Sequence, residues 1–282
     1  MALVTSRQML LEAQKGHYAV GAFNVENMEM AMAVVAAAEE LRAPVILQTT
    51  PSTVRYAGLE LYEANVRALA EKAAVPVALH LDHGNSFALC AQALRAGYTS
   101  IMIDGSKLPL EENIALTKKV AEMCSAADVP VEGELGQVGG KEDDTECKNA
   151  GYTIPAEAVR FEAETGLSSM AVGVGTAHGF YAVTPVLNTP LVSELKSVLT
   201  VPMVLHGASG LSDEAVRDCI RRGICKVNFA TELRAAYTDG VKEVLREKPD
   251  TYDPKVFGKT GMEKVKVLVK NRMQICGCAG KA

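Results

Sequence analysis

Three features that define other classes of protein are absent from this sequence of 282 residues. It contains no run of about 18 apolar residues, so no transmembrane helix is predicted. The opening stretch, MALVTSRQMLLEAQKG, is typical of an amphipathic helix and lacks the layout of a signal peptide. It also contains no long basic run, and its net charge is −5. These absences argue against a membrane and against nucleic acid as the main partner.

The cysteines also exclude a class of site. All seven are scattered along the chain, and none forms a CxxC pair. A disulfide framework or a cysteine-type zinc site would require regularly spaced pairs, so we expect reduced thiols in a cytoplasmic protein. The pair Cys276 and Cys278 is a weak metal candidate, because a tetrahedral structural zinc ion requires four ligands.

Eight short, β-branched, apolar segments recur along the chain, and most are followed by stretches with helical spacing, such as 26–42 and 110–127. Near-continuous apolar runs are typical of parallel strands covered on both faces. Eight such units close a barrel. We therefore predict one α/β domain over residues 1–282, a (β/α)8 TIM barrel with an additional C-terminal helix at 261–275. The predicted strands lie within 19–25, 44–50, 75–84, 100–106, 129–136, 168–179, 201–209 and 224–231.

Polar residues are concentrated at the ends of these strands, where barrel enzymes build their active sites. His83, His178 and His206 are three of only five histidines, and they fall at the ends of strands three, six and seven. Three imidazoles with an open fourth position form a typical catalytic zinc site. A glycine follows each histidine, at 84, 179 and 207, and would let a substrate approach the backbone closely.

Several strand-end residues have two interpretations. Asp82 precedes a predicted ligand, and successive strand side chains alternate between faces unless the strand end is irregular. It is therefore either an acid/base group in the cavity or a carboxylate that orients a histidine. Glu132 and Glu134 share one face, and one of them could pair with Lys226. A structural ion pair is the favoured interpretation of Lys226, and a Schiff-base lysine is the alternative.

Two glycine-rich or polar segments end strands and begin helices. They are HGASGLSDE at 206–214 and NFATE at 228–232. Backbone amides in the loops after strands seven and eight form the recurrent phosphate site of this fold. We therefore predict an anion site between these two segments.

The chain resembles the class II, metal-dependent ketose-bisphosphate aldolases from its first helix to its last. The matching stretches are AFNV, HLDHG, MIDGS, EGELGQVGGKEDD, VGTAHG, VLHGASGL and KVNFATEL. Ala230 and the ending CGCAGKA are most similar to the tagatose-1,6-bisphosphate aldolases of the galactitol and N-acetylgalactosamine pathways. Fructose-bisphosphate branches usually have Asp or Asn at position 230.

The resemblance implies a role for each matching residue. His83, His178 and His206 would bind one zinc ion per subunit, with Asp104 and Glu134 as contacts of an alternative metal site and a monovalent cation as a further candidate cofactor. Asp82 would be the proton donor at the cleaved carbon's oxygen, and Glu142 would exchange the proton of dihydroxyacetone phosphate. Lys259 would bind the distal phosphate of a substrate held in the active site of a neighbouring subunit. The alternative is a lysine that is exposed to solvent and has no such role. The implied substrate-binding residues are Asn24, Thr50, Gly179, Gly207, Ala208, Ser209, Asn228, Phe229, Ala230 and Thr231.

The sequence departs from the family pattern at two places. It has Gly84 where some members have a second histidine. It has Ala182 and Val183 where some members have a lysine just after the AHGxY stretch. Without that lysine, phosphate binding is expected to depend more on backbone amides.

The expected reaction is reversible cleavage of a ketose 1,6-bisphosphate, best matched by D-tagatose 1,6-bisphosphate, into dihydroxyacetone phosphate and D-glyceraldehyde 3-phosphate. Fructose 1,6-bisphosphate or another anionic ketose 1-phosphate is the alternative. A metal-dependent barrel hydrolase often has His-x-His on its first strand, and AFNV has no histidine. A non-catalytic stabilising subunit is a rival of another class. The resemblance further implies a homodimer or homotetramer and a candidate accessory subunit.

Overall fold

Eight strands of the computed structural model form one closed parallel barrel, in the order β1-β11-β10-β8-β5-β4-β3-β2. The structure describes residues 3–142, 145–147, 151–181 and 185–282, with the backbone alone at 141, 142 and 145–147. The strands are β1 Val20–Asn24, β2 Val45–Thr49, β3 Val77–Gly84, β4 Ser100–Ile103, β5 Val131–Leu135, β6 Gly139–Glu142, β7 Thr145–Cys147, β8 Ser169–Val172, β9 Ala177–His178, β10 Met203–Leu205 and β11 Ile224–Phe229. Strands β7, β6 and β9 form a separate small sheet.

Helices surround the barrel and cover the outer faces of its strands. They are α1 Ser6–Gly16, α2 Met28–Leu41, α3 Pro51–Ala57, α4 Leu59–Lys72, α5 Phe87–Ala96, α6 Leu110–Ser125, α7 Pro155–Thr165, α8 Thr189–Val198, α9 Asp213–Arg221, α10 Thr231–Glu247 and α11 Pro254–Cys276. Asn27, Ser86 and Ser212 cap α2, α5 and α9 by accepting backbone hydrogen bonds. No helix in the described part of the chain combines the length and hydropathy needed to cross a bilayer.

The predicted TIM barrel is confirmed, and its strands are buried along their length as parallel strands should be. The terminal helix, however, begins at Pro254 rather than at 261. The sequence interpretation took the Pro/Asp/Gly-rich segment as irregular. The side chain of Asp253 instead accepts from the Lys255 amide, and Pro254 occupies the first helical position, where its missing N–H costs nothing.

The predicted sixth strand is also shorter than expected. Barrel strand β8 ends at Val172, and His178 lies on β9 in the small sheet. Glycines permit this departure from the barrel. A Cβ at Gly173 would lie 2.3 Å from the Gly151 carbonyl oxygen, and Gly175 has a φ of +98°. His178 is therefore carried on a loop beyond the barrel strand.

The last two helices cross at a pair of glycines. A Cβ at Gly240 of α10 would lie 2.7 Å from the Gly261 Cα of α11. Nearby, Arg272 of α11 binds both carboxylate oxygens of Glu232 at 2.7 Å and also contacts Asp213 of α9. These contacts fix the two helices that begin just after β10 and β11, which are the strands next to the predicted anion site.

We expect Gly240→Ala to lower the free energy of unfolding by about 1–3 kcal/mol, because the added methyl group would force the helices apart. Gly258→Ala is the matched control, since its Cβ would meet no atom closer than 3.6 Å. That substitution should leave stability unchanged or raise it by up to about 1 kcal/mol through helix propensity. Urea unfolding of both variants checks the pair, and equal stabilities would contradict the proposed close crossing.

Candidate active site

The three predicted histidines converge at the mouth of the barrel. The His83 ring lies 5.1 Å from that of His178 and 4.7 Å from that of His206, and the third pair is 6.1 Å apart. One nitrogen from each ring falls within 4.8 Å of the others. Residues that lie up to 123 positions apart in the sequence thus present three imidazoles to one point.

Two carboxylates determine the tautomers of two of these rings. Nδ1 of His83 lies 2.8 Å from Oδ2 of Asp104, and Nε2 of His206 lies 2.9 Å from Oε1 of Glu132. A carboxylate accepts, so each of these nitrogens carries the proton. The remaining nitrogens, Nε2 of His83 and Nδ1 of His206, then turn lone pairs toward each other at 2.9 Å. That arrangement is repulsive without a cation, so the donor set fits a metal ion.

At His206 the surroundings favour the neutral imidazole, the form that binds metals. Burial lowers the pKa of His206, against the hydrogen bond that its Nε2 donates to Glu132, which raises it. Burial would raise the pKa of Asp104, but the hydrogen bond and charge of His83 hold it well below its usual range. Asp104 is therefore an anion that accepts from His83.

A second cluster adjoins the first. His83, Asp104 and Glu134 also present ligand atoms within 4.8 Å of one another, which matches the predicted alternative metal site. Oε2 of Glu134 lies 3.9 Å from Nδ1 of His83 and 3.7 Å from Nδ1 of His206. Both predicted glutamates of β5 thus face the barrel interior.

A β-bulge explains how Asp82 and His83 both face the cavity. The register of β3 against β4 shifts between Leu81 and Gly84, and His83 has a φ of +49°. Its amide donates to the sulfur of Met102 at 3.4 Å instead of to the strand ladder. A left-handed conformation at a non-glycine residue costs on the order of 1 kcal/mol. The local irregularity re-aims the side chains, as bulges beside active sites do.

Gly84 has a different role from the one predicted. A Cβ there would lie 2.4 Å from the Met102 carbonyl oxygen and 2.9 Å from the Cys90 sulfur. The missing side chain therefore permits close contact with β4 rather than approach of a substrate.

Three carboxamides surround Asp82, which is buried. Asn24 and Gln48 donate to its Oδ2 at 2.9 and 3.2 Å, and Asn228 donates to its Oδ1 at 3.2 Å. The sequence interpretation missed Gln48. The available signal was an amide side chain inside an apolar strand, in register with Asn24 on β1. These donors orient the carboxylate beside the histidines.

Beneath the histidines lies a buried chain of polar groups. Glu132 bridges His206 and Lys226, whose Nζ is 2.8 Å from its Oε2. Lys226 continues to His80 at 3.3 Å, and Nδ1 of His80 lies 2.7 Å from the Ser100 hydroxyl. Burial would raise the pKa of Glu132, but the charge of Lys226 and the hydrogen bond from His206 together hold it below its usual range. The predicted ion pair of Lys226 is confirmed, and this buried, paired amine does not suit a Schiff base.

The loop that carries His178 is fixed from two sides. Strand β9 pairs with β6, where Gly140 is opposite His178. The Tyr181 hydroxyl accepts from the Ala177 amide at 2.8 Å and donates to the Gly207 carbonyl at 2.6 Å. A Cβ at Gly207 would lie 2.6 Å from the Ala177 carbonyl oxygen, so this glycine permits the contact. The backbone of Glu142 belongs to β6, whereas its side chain lies outside the described residues.

A cleft opens beside His178. Its lining includes one residue that the sequence interpretation missed, Arg234, three positions beyond Thr231. The lining residues are Asn24, His178, Gly179, Gly207, Ser209, Asn228, Ala230, Thr231 and Arg234.

Four other predicted residues do not line this cleft. Thr50 directly precedes α3, and its hydroxyl lies 3.1 Å from that of Thr53. The Phe229 ring is buried and stacks on Phe23 at 5.6 Å, so only its backbone can face a substrate. Ala208 is buried, and Lys259 is exposed on α11.

Cys276 and Cys278 are buried, and burial raises the pKa of both thiols. No cysteine belongs to a candidate metal cluster within the described ranges. These two residues are therefore best interpreted as unreactive core thiols.

A closed parallel barrel with these groups at its mouth defines a (β/α)8-barrel enzyme. A family model described as "Fructose-bisphosphate aldolase class-II" matches residues 4–281. The chain belongs to that family, so the protein is an aldolase, a lyase that acts on phosphorylated sugars. Class II aldolases generally depend on zinc.

Solved structures support this assignment. The YdjI aldolase from Escherichia coli K12 is 35% identical over 99% of both chains, with a TM-score of 0.88. A putative fructose-1,6-biphosphate aldolase from Coccidioides immitis is 29% identical over 97% of this chain and 96% of its own, also with a TM-score of 0.88. The fructose-bisphosphate aldolase from Campylobacter jejuni is 23% identical over 100% and 97%, with a TM-score of 0.83, and shows the shared fold.

The contact between Asp104 and His83 leads to a testable expectation. Asp104→Ala removes the acceptor that fixes the His83 tautomer, and losing such a partner typically weakens metal affinity about 10- to 100-fold. Ser106→Ala removes only a donor to Asp104 and should have a smaller effect. Competition with a chromophoric zinc chelator measures both. Unchanged zinc affinity in Asp104→Ala would show that this carboxylate does not support the metal site.

The pairing of β6 with β9 leads to a second expectation. A Cβ at Gly140, whose φ is +84°, would lie 2.3 Å from the His178 carbonyl oxygen, so Gly140→Ala should displace β9 and weaken zinc binding. Gly151→Ala is the control in the same region, because its Cβ would meet no atom closer than 3.6 Å. Equal zinc affinity in both variants, by the same competition assay, would refute the role of the small sheet.

Proposed function

We propose that this aldolase uses zinc to cleave a ketose 1,6-bisphosphate reversibly into dihydroxyacetone phosphate and D-glyceraldehyde 3-phosphate. D-tagatose 1,6-bisphosphate is the proposed substrate. The observation that carries the proposal is the convergence of three imidazoles and the Asp82 carboxylate beside a cleft lined by glycine-rich loops.

His83, His178 and His206 would hold the zinc ion. Three neutral nitrogen ligands leave a fourth position for substrate oxygens. When bound, the metal supplies a Lewis acid that polarises the ketone carbonyl and stabilises negative charge on the triose oxygens. Asp104 and Glu134 remain candidates for an alternative metal position, and a monovalent cation remains a prediction.

Two carboxylates would move protons. Asp82 exchanges a proton with the oxygen on the carbon where the bond breaks, and the Asn24, Gln48 and Asn228 amides hold it in place. Glu142 would exchange the proton at the triose carbon. That role rests on the family resemblance and on the attachment of its strand to β9.

The triose phosphate would bind at the loops after β10 and β11. Gly179, Gly207 and Ser209 line this part of the cleft, next to the first turn of α10. The residue before that turn is Ala230, which has no side chain able to cap it. The first amides of α10 are thereby available to an anion, as helix N-termini commonly are.

The substrate preference rests on Ala230 and on the CGCAGKA ending, which resemble the tagatose branch. Fructose 1,6-bisphosphate is the second candidate, because the matching family model is described by that substrate. Another anionic ketose 1-phosphate would use the same triose site. The exposed Lys259 would serve the distal phosphate of a neighbouring subunit in a cytoplasmic homodimer or homotetramer, with an accessory subunit as a further prediction.

The decisive experiment measures kcat/KM of the purified protein for the C4 epimers tagatose and fructose 1,6-bisphosphate. We expect cleavage of both, with tagatose preferred, and loss of activity on dialysis against a chelator with recovery on adding zinc. Asp82→Asn should lower kcat about 100- to 10,000-fold, the usual contribution of a general acid/base group.

Three outcomes would contradict the proposal. Full activity after chelation would exclude the metal, and a preference for fructose would exclude tagatose as the main substrate. Borohydride trapping of substrate on Lys226 would show a Schiff-base aldolase instead. Asn188→Ala, which removes a helix cap outside the cleft, controls for general effects of substitution.

A further inference from the structure

One buried histidine lies beneath the metal site and has no part in the proposed reaction. His80 of β3 is fully buried and is not among the described residues that line the cleft. Its Nε2 lies 3.3 Å from Nζ of Lys226, and the same Nζ contacts Glu132. We propose that His80 is a positioning residue, which holds Lys226 and thereby keeps Glu132 in the orientation that the metal site requires. The inference rests on the proposed function for the presence of zinc.

The hydrogen bonds around His80 have a defined direction. An ammonium group can only donate, so Nε2 of His80 accepts from Lys226. Burial and the charge of Lys226 hold the pKa of His80 well below its usual value, so its ring is neutral and carries one proton. That proton is on Nδ1, which donates to the Ser100 hydroxyl at 2.7 Å. The Ser100 hydroxyl lies 2.8 Å from that of Ser6 on α1, so the ring is fixed on both sides.

The contact between His80 and Lys226 crosses the interior of the barrel. His80 is on β3 and Lys226 is on β11, and β1 and β2 lie between these strands. Glu132 is on β5, and its Oε2 lies 4.0 Å from Nε2 of His80, with the ammonium in contact with both atoms. His80 thus connects the strand of His83 to the ion pair that contacts His206.

Loss of His80 would leave a buried ammonium without one of its acceptors. The attraction within a buried ion pair offsets the loss of hydration only where further hydrogen bonds satisfy its remaining groups. Lys226 would turn toward other acceptors, and Oε2 of Glu132 would no longer be fixed. Since Oε1 of the same carboxylate accepts from Nε2 of His206 at 2.9 Å, the proton of that ring would no longer be confined to Nε2. A ring with its proton on Nδ1 cannot present that nitrogen to a metal ion.

The first measurement is zinc affinity, by competition with a chromophoric chelator. His80→Phe keeps a flat ring but has no acceptor, and we expect zinc to bind about 3- to 10-fold more weakly. This effect is smaller than the loss of about 10- to 100-fold that follows removal of a direct partner of a ligand. His80→Gln keeps an acceptor for the ammonium and should recover much of the affinity. Wild-type zinc affinity in His80→Phe would overturn the inference.

Thr49→Val is the matched control for lost stability. Thr49 is buried on the neighbouring strand β2, and its hydroxyl lies 2.8 Å from that of Tyr98, so this substitution also removes a buried hydrogen bond. It should lower the free energy of unfolding and leave zinc affinity unchanged. An equal loss of zinc affinity in Thr49→Val and His80→Phe would show a general effect of destabilisation, which contradicts a positioning role.

Ser100→Ala keeps the inference testable if His80→Phe does not fold. It removes the group that accepts from Nδ1 of His80 and leaves the ring in place. We expect a smaller loss of zinc affinity in the same direction, and an affinity equal to that of the wild-type protein would count against the inference.

Nitrogen-15 NMR of the imidazole rings measures the proposed effect in the zinc-free protein. In the wild-type protein we expect His206 to carry its proton on Nε2, and in His80→Phe we expect the proton to be shared between the two ring nitrogens. This readout requires neither activity nor bound metal, so it distinguishes the inference from the proposed function. If the wild-type protein binds no zinc, the proposed function fails, and a tautomer shift in His80→Phe still supports the orienting role of His80. An unchanged His206 tautomer in His80→Phe would refute that role.

Discussion

The mouth of the barrel depends on the buried ion pair between Glu132 and Lys226. Each side chain is almost fully buried, and either charge alone would be strongly unfavourable there. Together they keep Glu132 anionic, so that it accepts from His206 and leaves Nδ1 of that ring directed into the cavity. The Glu132–Lys226 pair thus fixes which nitrogen of His206 faces the site, even though a buried ion pair contributes little net stability.

A second constraint lies at the end of β3, where the regular strand geometry is broken and two side chains of the site are repositioned. A regular strand would send Asp82 and His83 to opposite faces. The register shift and the left-handed conformation of His83 bring both toward the cavity, at the cost of a ladder hydrogen bond that Met102 sulfur partly replaces. Gly84 then allows β4 to pack closely behind the irregular backbone. The strain is local, because β3 pairs with β2 in regular register from Val77 to Leu81.

The sequence predicted much of this arrangement because strand and helix periodicities are local properties. Eight apolar runs implied eight strands, and polar residues at their carboxyl ends implied the three-histidine cluster. What it missed depends on backbone geometry or on distant partners. Nothing in the residues near His178 showed that β8 ends at Val172, because the departure is permitted by contacts between Gly173 and Gly151. Gln48 and Arg234 were missed because an amide in an apolar strand and a charge on a helix are ordinary until folding places them beside Asp82 and the cleft.

The small sheet connects several of these features physically. Strand β6 carries the backbone of Glu142 and pairs with β9, which carries His178, while Tyr181 ties the same loop to Gly207 after β10. The segment from Ala177 to Tyr181 therefore contacts both neighbours of the candidate metal ligand His178. It pairs with β6, the strand of Glu142, and it is hydrogen-bonded to Gly207, on the proposed phosphate side of the cleft. Gly140 packs against the backbone of His178, and Gly207 packs against the backbone of Ala177. A displacement of β6 would therefore also move His178. The strand that carries the backbone of Glu142 is thus directly paired with the strand of a candidate metal ligand.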